Sequence, residues 1–416
     1  MTNYSLKKDY IWNTIGVFAQ NAISPLLLIV VTRVNGIFDS GIFSFAFSVA
    51  IVFWAFGMWG GRTYQVSDVT KEFTSHNYIM VRLILAVVMI IGAIIFITTN
   101  HYDAIKSWII IALVLFKAIE SIADSFYGIL QIHGHLYVSG KSLLYKAILG
   151  IGAFLAAEAI WHSVLVGCLG IIGVNILVLL AYDIPNVLEL EKLSFGVRQI
   201  TRQLQAATAI IRRCAPIAVI IFLTMFSLNI PRYFIDMFHE DQVGPFGIIA
   251  MPITLIALVI TFVLQPNIVQ LSQILEKKRF TIFNSMVTKL AAVSFGIGLV
   301  VLLVTYVLGV PLLQFVFGVS FEAYRLPLMI IVIGAIANAI VTVYINVLTI
   351  MRYFKAQFYV LLTTNVVLVM VSAILVKQYG ILGGASLFAI VNFIQALLLV
   401  STYRISLNRE MCRRVE

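Results

Sequence analysis

Long apolar runs separated by short polar stretches dominate this chain. They cover roughly residues 12–34, 37–60, 79–98, 107–126, 143–160, 163–182, 214–234, 244–265, 285–308, 326–351, 358–377 and 383–403. A helix needs roughly 20 apolar residues to cross a hydrocarbon core about 30 Å thick. Barrel strands would show alternation over stretches of about 10 residues, and an open sheet leaves backbone groups unpaired in lipid. The runs here are continuous. The pattern therefore predicts an all-α integral membrane protein of about twelve transmembrane helices. The first run follows Lys7 and Lys8 as a signal peptide would, but it is too long for one and lacks a small-residue cleavage site. It is expected to stay as an anchor.

Composition agrees, with 61% hydrophobic and only 11% charged residues among 416. The charges also carry topology. If the N-terminus is cytoplasmic, five of the 28 Lys and Arg residues (Arg33, Lys106, Arg232, Arg325 and Lys377) fall on the outer side, Lys117 lies within a span, and the other 22 face the cytoplasm. This is the positive-inside bias, and it predicts a multi-pass protein with both termini cytoplasmic. The net charge of +10 is spread over separate inner segments, which argues against nucleic acid as a partner. Trp12, Trp59, Trp108 and Trp161 fall at span ends, where an aromatic belt would place them.

Cys168, Cys214 and Cys412 cannot build an extracellular disulfide framework, and no Cys/His spacing fits a metal site, so neither metal nor cofactor is expected. Gly140-Lys141-Ser142 imitates the end of a phosphate-binding loop. That motif needs Gly five residues before Gly140, where His135 stands, so ATP binding is not expected.

The longest non-spanning segment, 183–213, lies near the middle. Val197, Ile200, Leu204, Ala207 and Ile211 recur at helical spacing, with Arg198, Arg202 and Gln205 off that stripe, as in an interfacial helix. It divides an N-terminal lobe, 1–182, from a C-terminal lobe, 214–416, each with six spans. The first helix of each half also ends alike: Thr32-Arg33 and then Gly41-Ile42-Phe43, against Pro231-Arg232 and then Gly244-Pro245-Phe246. Both start on the same side, so the repeat is parallel, about an axis along the membrane normal. Paired lobes around a midplane cavity are a transporter architecture. The prolines clustered at Pro216, Pro231, Pro245, Pro252 and Pro266 suit the broken helices of such proteins, although proline is generally common in membrane helices.

Several segments resemble one family. Thr32-Arg33-Val34-Asn35-Gly36 with Gly41-Ile42-Phe43-Ser44-Phe45 is similar to the first hairpin of bacterial polysaccharide repeat-unit flippases. These are the polysaccharide transporter branch of the multidrug/oligosaccharidyl-lipid/polysaccharide exporter superfamily. Asn229-Ile230-Pro231-Arg232-Tyr233-Phe234-Ile235 resembles that family's seventh-helix motif. Phe315-Val316-Phe317-Gly318 and Tyr379-Gly380-Ile381-Leu382-Gly383-Gly384-Ala385 resemble its outer-loop patterns. Asn35 departs from the usual Leu. The resemblance implies two six-helix lobes in a V that opens alternately to each side of the bacterial cytoplasmic (inner) membrane. It implies flipping of an undecaprenyl-pyrophosphate-linked oligosaccharide, among membrane lipids and beside a polymerase of the same pathway.

A pyrophosphate needs cations where bare charge costs several kcal/mol. Arg33 and Arg232, at equivalent helix ends, are candidate substrate ligands, with Gln20, Asn21 and Ser24 on the first span. The plainer reading is that both arginines snorkel to headgroups. In the fourth span Lys117, Glu120, Ser121, Asp124 and Gln131 share one stripe. Either Lys117 pairs with Glu120 one turn away, or the second acid stays unmatched and serves proton or sodium coupling. Two other functions stay open: an ion-coupled drug exporter of the same fold, and a membrane glycosyltransferase or polymerase. The second is disfavoured by outer loops too short to hold an active site.

Overall fold

The computed structural model describes residues 3–68, 72–192 and 200–412. Val197 and Arg198 of the stripe, and Lys71, Arg413 and Arg414 among the 22 cytoplasmic-side cations, lie outside them. Helix follows apolar run throughout. The first helices are α1 (Asn3–Asn35), α2 (Ile37–Gly57), the short α3 (Gly61–Ser67), α4 (Ser75–Asn100), α5 (Ala104–Ile132), α6 (Leu136–Trp161), α7 (Val164–Val178) and α8 (Ile184–Leu188). Then come α9 (Ile200–Phe238), α10 (Val243–Ile249), α11 (Met251–Glu276), α12 (Phe280–Val304), α13 (Val310–Phe317), α14 (Arg325–Ile350) and α15 (Phe354–Cys412). A π-helical turn, Leu179–Asp183, joins α7 to α8, and another, Thr305–Gly309, joins α12 to α13.

Ten helical stretches among the described residues are long and apolar enough to cross a membrane. α5 has the length, 29 residues, but carries Lys117, Glu120 and Asp124 in its body. α15 has 59 residues and is broken at Gly380, where φ is 52° and ψ is −128°. At 1.5 Å per residue it runs to about 90 Å, far more than one crossing needs. Counting α5 and both arms of α15 gives the twelve crossings expected. Gly is required at the break, because a side chain in that left-handed conformation is strained. Gln242 Oε1 then accepts the freed Ile381 N–H at 2.9 Å.

The chain folds into two compact units, 1–222 and 223–416. In the first, α1 and α6 cross so closely that a Cβ on Gly16 would strike the Gly140 carbonyl, and one on Gly140 the Trp12 backbone. In lipid no hydrophobic force draws helices together, so such close packing between small residues does much of that work. Gly140, the false phosphate-loop residue, is thus a helix-crossing residue.

The interfacial helix is corrected in part. Residues 200–213 are the opening turns of the 39-residue α9. Ala207, Ile210 and Cys214 bury themselves against Tyr78, Val81 and Leu85 of α4, while Leu204 stays exposed. Of the described stripe residues, Ala207 and Ile211 thus have a protein partner. Trp59 Nε1 donates to Ile211 O at 2.9 Å, so this tryptophan belongs to the packing and not to a belt; Trp108 and Trp161 remain exposed. Outside the spans, Arg213 grips Glu72 with both Nη atoms at 2.5 and 2.8 Å. That contact holds the Glu72 carboxyl below the usual carboxylate range.

The second unit is tied by amides and hydroxyls. Asn338 donates to Asn392 at 2.8 Å, and Gln395 Nε2 lies 2.9 Å from Thr364 Oγ1 and 3.1 Å from Ser227 Oγ. Asn365 reaches Leu223 O at 3.1 Å.

Candidate functional site

α5 organises the charges of the first unit, because its stripe turns a different acid to each neighbour. Lys117 Nζ sits 2.6 Å from Glu120 Oε2, one helical turn on. The amine also lies over the rings of Phe47, Phe116 and Trp54, at 5.1, 4.9 and 5.8 Å. Those ring faces add cation–π stabilisation to the ion pair. Gln20 of α1 donates to the other oxygen of Glu120. One residue expected at the substrate and two expected in coupling are therefore a single cluster.

Asp124 does not share Lys117. Arg82 Nη2 of α4 lies 3.1 Å from Asp124 Oδ2, and Arg62 Nε of α3 lies 3.6 Å from Oδ1. Arg82 Nη1 also donates to Gly57 O at 2.5 Å. The expectation of an unmatched acid on this stripe is overturned, because Asp124 has two guanidinium groups. Arg82, counted among the inner-loop cations, is 3% exposed inside α4, a depth no unpaired guanidinium would reach.

A further pair was missed. Lys146 of α6, likewise counted as a loop cation, is buried with its Nζ 2.5 Å from Asp183 Oδ2 and 2.8 Å from the Tyr127 hydroxyl. Tyr127 and Ser142 share a hydrogen bond at 2.9 Å. The π-helical turn places Asp183 there. The only sequence signal was the 37-residue separation of two opposite charges at the same predicted membrane edge, which many pairs would satisfy.

The remaining α1 candidates lie outside that cluster. Asn21 is exposed and donates back to Val17 O at 2.8 Å, and Ser24 is half-buried on α1. Arg33 is exposed in the last turn of α1, where a cation favours the helix dipole. In the second unit, Arg232 of α9 lies over the Phe246 ring at 5.8 Å, and its buried Nε has no hydrogen-bond partner. It forms no ion pair among the described residues.

These side chains sit on a scaffold that other solved structures share. No family model and no curated protein matches the sequence. Solved structures do. A multidrug resistance MATE family transporter of the MOP superfamily is similar over 94% of this chain and 95% of its own, with a TM-score of 0.73 at 13% identity. The lipid II flippase MurJ matches over 95% of this chain and 87% of its own, with a TM-score of 0.62 at 13% identity. A MOP superfamily transporter from Pyrococcus furiosus matches over 98% and 96%, with a TM-score of 0.63 at 13% identity. The chain has the MATE- and MurJ-like transporter fold, in a multi-pass membrane protein.

Proposed function

We propose that this protein flips an undecaprenyl-pyrophosphate-linked oligosaccharide from the cytoplasmic to the outer leaflet of the bacterial cytoplasmic membrane, for surface polysaccharide assembly. In this reading both termini are cytoplasmic, and 1–182 and 214–416 act as paired six-helix lobes joined by 183–213. One observation carries it: the acids of the ion pairs described above are matched, and one guanidinium is not. Glu120, Asp124 and Asp183 are each matched by a base, Asp124 by two, while Arg232 pairs with no carboxylate among the described residues. A pyrophosphate wants spare guanidinium, and Arg presents a planar donor fork to phosphate oxygens. The lipid II flippase with the same fold supports a lipid-linked substrate.

The test is translocation of a fluorescent undecaprenyl-pyrophosphate oligosaccharide in reconstituted vesicles. Wild type should flip it, Arg232→Lys should retain part of the rate, and Arg232→Ala should lose roughly tenfold or more, the order of one charge-assisted hydrogen bond. Equal rates for wild type and Arg232→Ala, at equal reconstitution, would reduce Arg232 to a packing residue. Efflux of a cationic dye without any lipid flipping would assign the protein to drug export instead.

A further inference from the structure

One fully buried acid in the first unit forms no ion pair among the described residues. Glu158 lies in the last turn of α6, is fully buried, and both of its carboxyl oxygens lack a hydrogen-bond donor. Around it are the turn between α1 and α2, the first turn of α2, and the turn between α6 and α7. They bring Asn35, Asp39 and His162 to it, and Cys168 of α7 is also close.

None of these neighbours forms an ion pair with Glu158 among the described residues. Asn35 spends its Nδ2 on His162 O, at 3.1 Å, and its own Oδ1 is buried without a donor. Turning that carboxamide over would give Nδ2 to Glu158 but set Oδ1 against the His162 carbonyl. Asp39 is a second carboxylate, and two carboxylates in one place favour holding a proton. The helix ends sort which of them holds it. Asp39 stands in the first turn of α2, where the dipole favours an anion. Glu158 stands at the C-terminal end of α6, where the dipole opposes one. His162 is exposed, and its backbone N–H already donates to the Glu158 backbone carbonyl at 3.0 Å.

We propose that Glu158 is a proton-binding site, neutral while the Asn35 turn is packed on the His162 turn, and ionised when that packing opens to water. The proton supplies the missing donor, and Asn35 Oδ1 is the acceptor beside it. Burial and protonation are then linked in both directions: opening the turns releases the proton, and a higher pH favours opening. In the orientation proposed above the site faces the outer side, away from Lys141, so the outer pH would act on it. The proposal itself rests only on the packing of the first unit and is independent of the substrate.

Infrared difference spectroscopy of the purified protein, between neutral and alkaline pH, tests it. Wild type should show the carbonyl stretch of a protonated carboxylic acid at neutral pH. Glu158→Gln, an uncharged substitute of the same shape, should lack that band. Asp39→Asn removes the neighbouring charge, so the band should vanish at a lower pH than in wild type. This variant also serves if Glu158→Gln fails to accumulate. Thermal unfolding gives a second readout: wild type should lose stability as pH rises, and Glu158→Gln should lose that slope. Absence of the acid band in wild type would overturn the proposal. So would an ionised carboxylate whose stabilisation by sodium disappears in Glu158→Gln, since that result assigns the site to a metal cation.

Discussion

Lys117 is an amine in the body of a membrane-crossing helix, and its three kinds of partner state its role. A carboxylate at 2.6 Å, aromatic faces on α2 and α5, and an amide from α1 on that carboxylate form a closed cluster. Removing one member of a buried ion pair strands the other, at a cost of about 3 kcal/mol or more. Lys117→Met alone should therefore lower the melting temperature in detergent and the yield. Lys117→Met with Glu120→Gln should recover both, because no charge is then left uncompensated. The double variant is also expected to keep its response to an imposed pH or sodium gradient in vesicles. A well-folded double variant that had lost that response would return coupling to α5. At this scale the sequence was half legible. The one-turn spacing of Lys117 and Glu120 was visible, whereas the partners of Asp124 come from helices 42 and 62 residues away.

At the scale of the element, glycines divide into those that a neighbour requires and those that face open space. Gly140 meets the Trp12 backbone, which cannot rotate away, while Gly152, on the same α6, has nothing within 4 Å. Gly140→Leu should separate α1 from α6 and cost about 3 kcal/mol, at the upper end of overpacking penalties. Gly152→Leu should stay within about 0.5 kcal/mol of wild type. Thermal unfolding of the two purified variants measures the difference, and similar melting temperatures would show that α1 and α6 do not cross at Gly140. Both are glycines of the same helix, α6, so residue type gives no reason to rank them. The boundaries of α9 teach the same lesson. Its first turns carry a stripe that suits either a bilayer surface or a protein face, and only the burial of Ala207 and Ile210 against α4 decides between the two.

For the whole molecule, the cysteines report topology without any engineering. Cys168 and Cys214 are buried, and Cys412 is exposed near the end of α15. In intact cells a membrane-impermeant maleimide should leave all three unmodified. Permeabilising the inner membrane should expose Cys412 alone, and denaturation should release the other two. Labelling of Cys412 in intact cells would invert the orientation proposed for every loop.

What the sequence determined by itself is what lipid enforces on each segment separately. A hydrocarbon core demands runs of a certain length, internal hydrogen bonding, and basic residues kept to one side. Twelve crossings could be read one at a time on those terms, including the break at Gly380, which follows an apolar run and precedes another. Which charge meets which was not determined in this way. Arg82 and Lys146 read as loop cations because they lie near span edges, yet each is buried against an acid from a distant helix. Glu158 lies near the end of an apolar run, yet it is buried with no base paired to it among the described residues. Ion pairing depends on separations of a few ångströms, and those are set by how helices cross, through contacts such as Gly16 on Gly140, which leave no periodic trace in the chain.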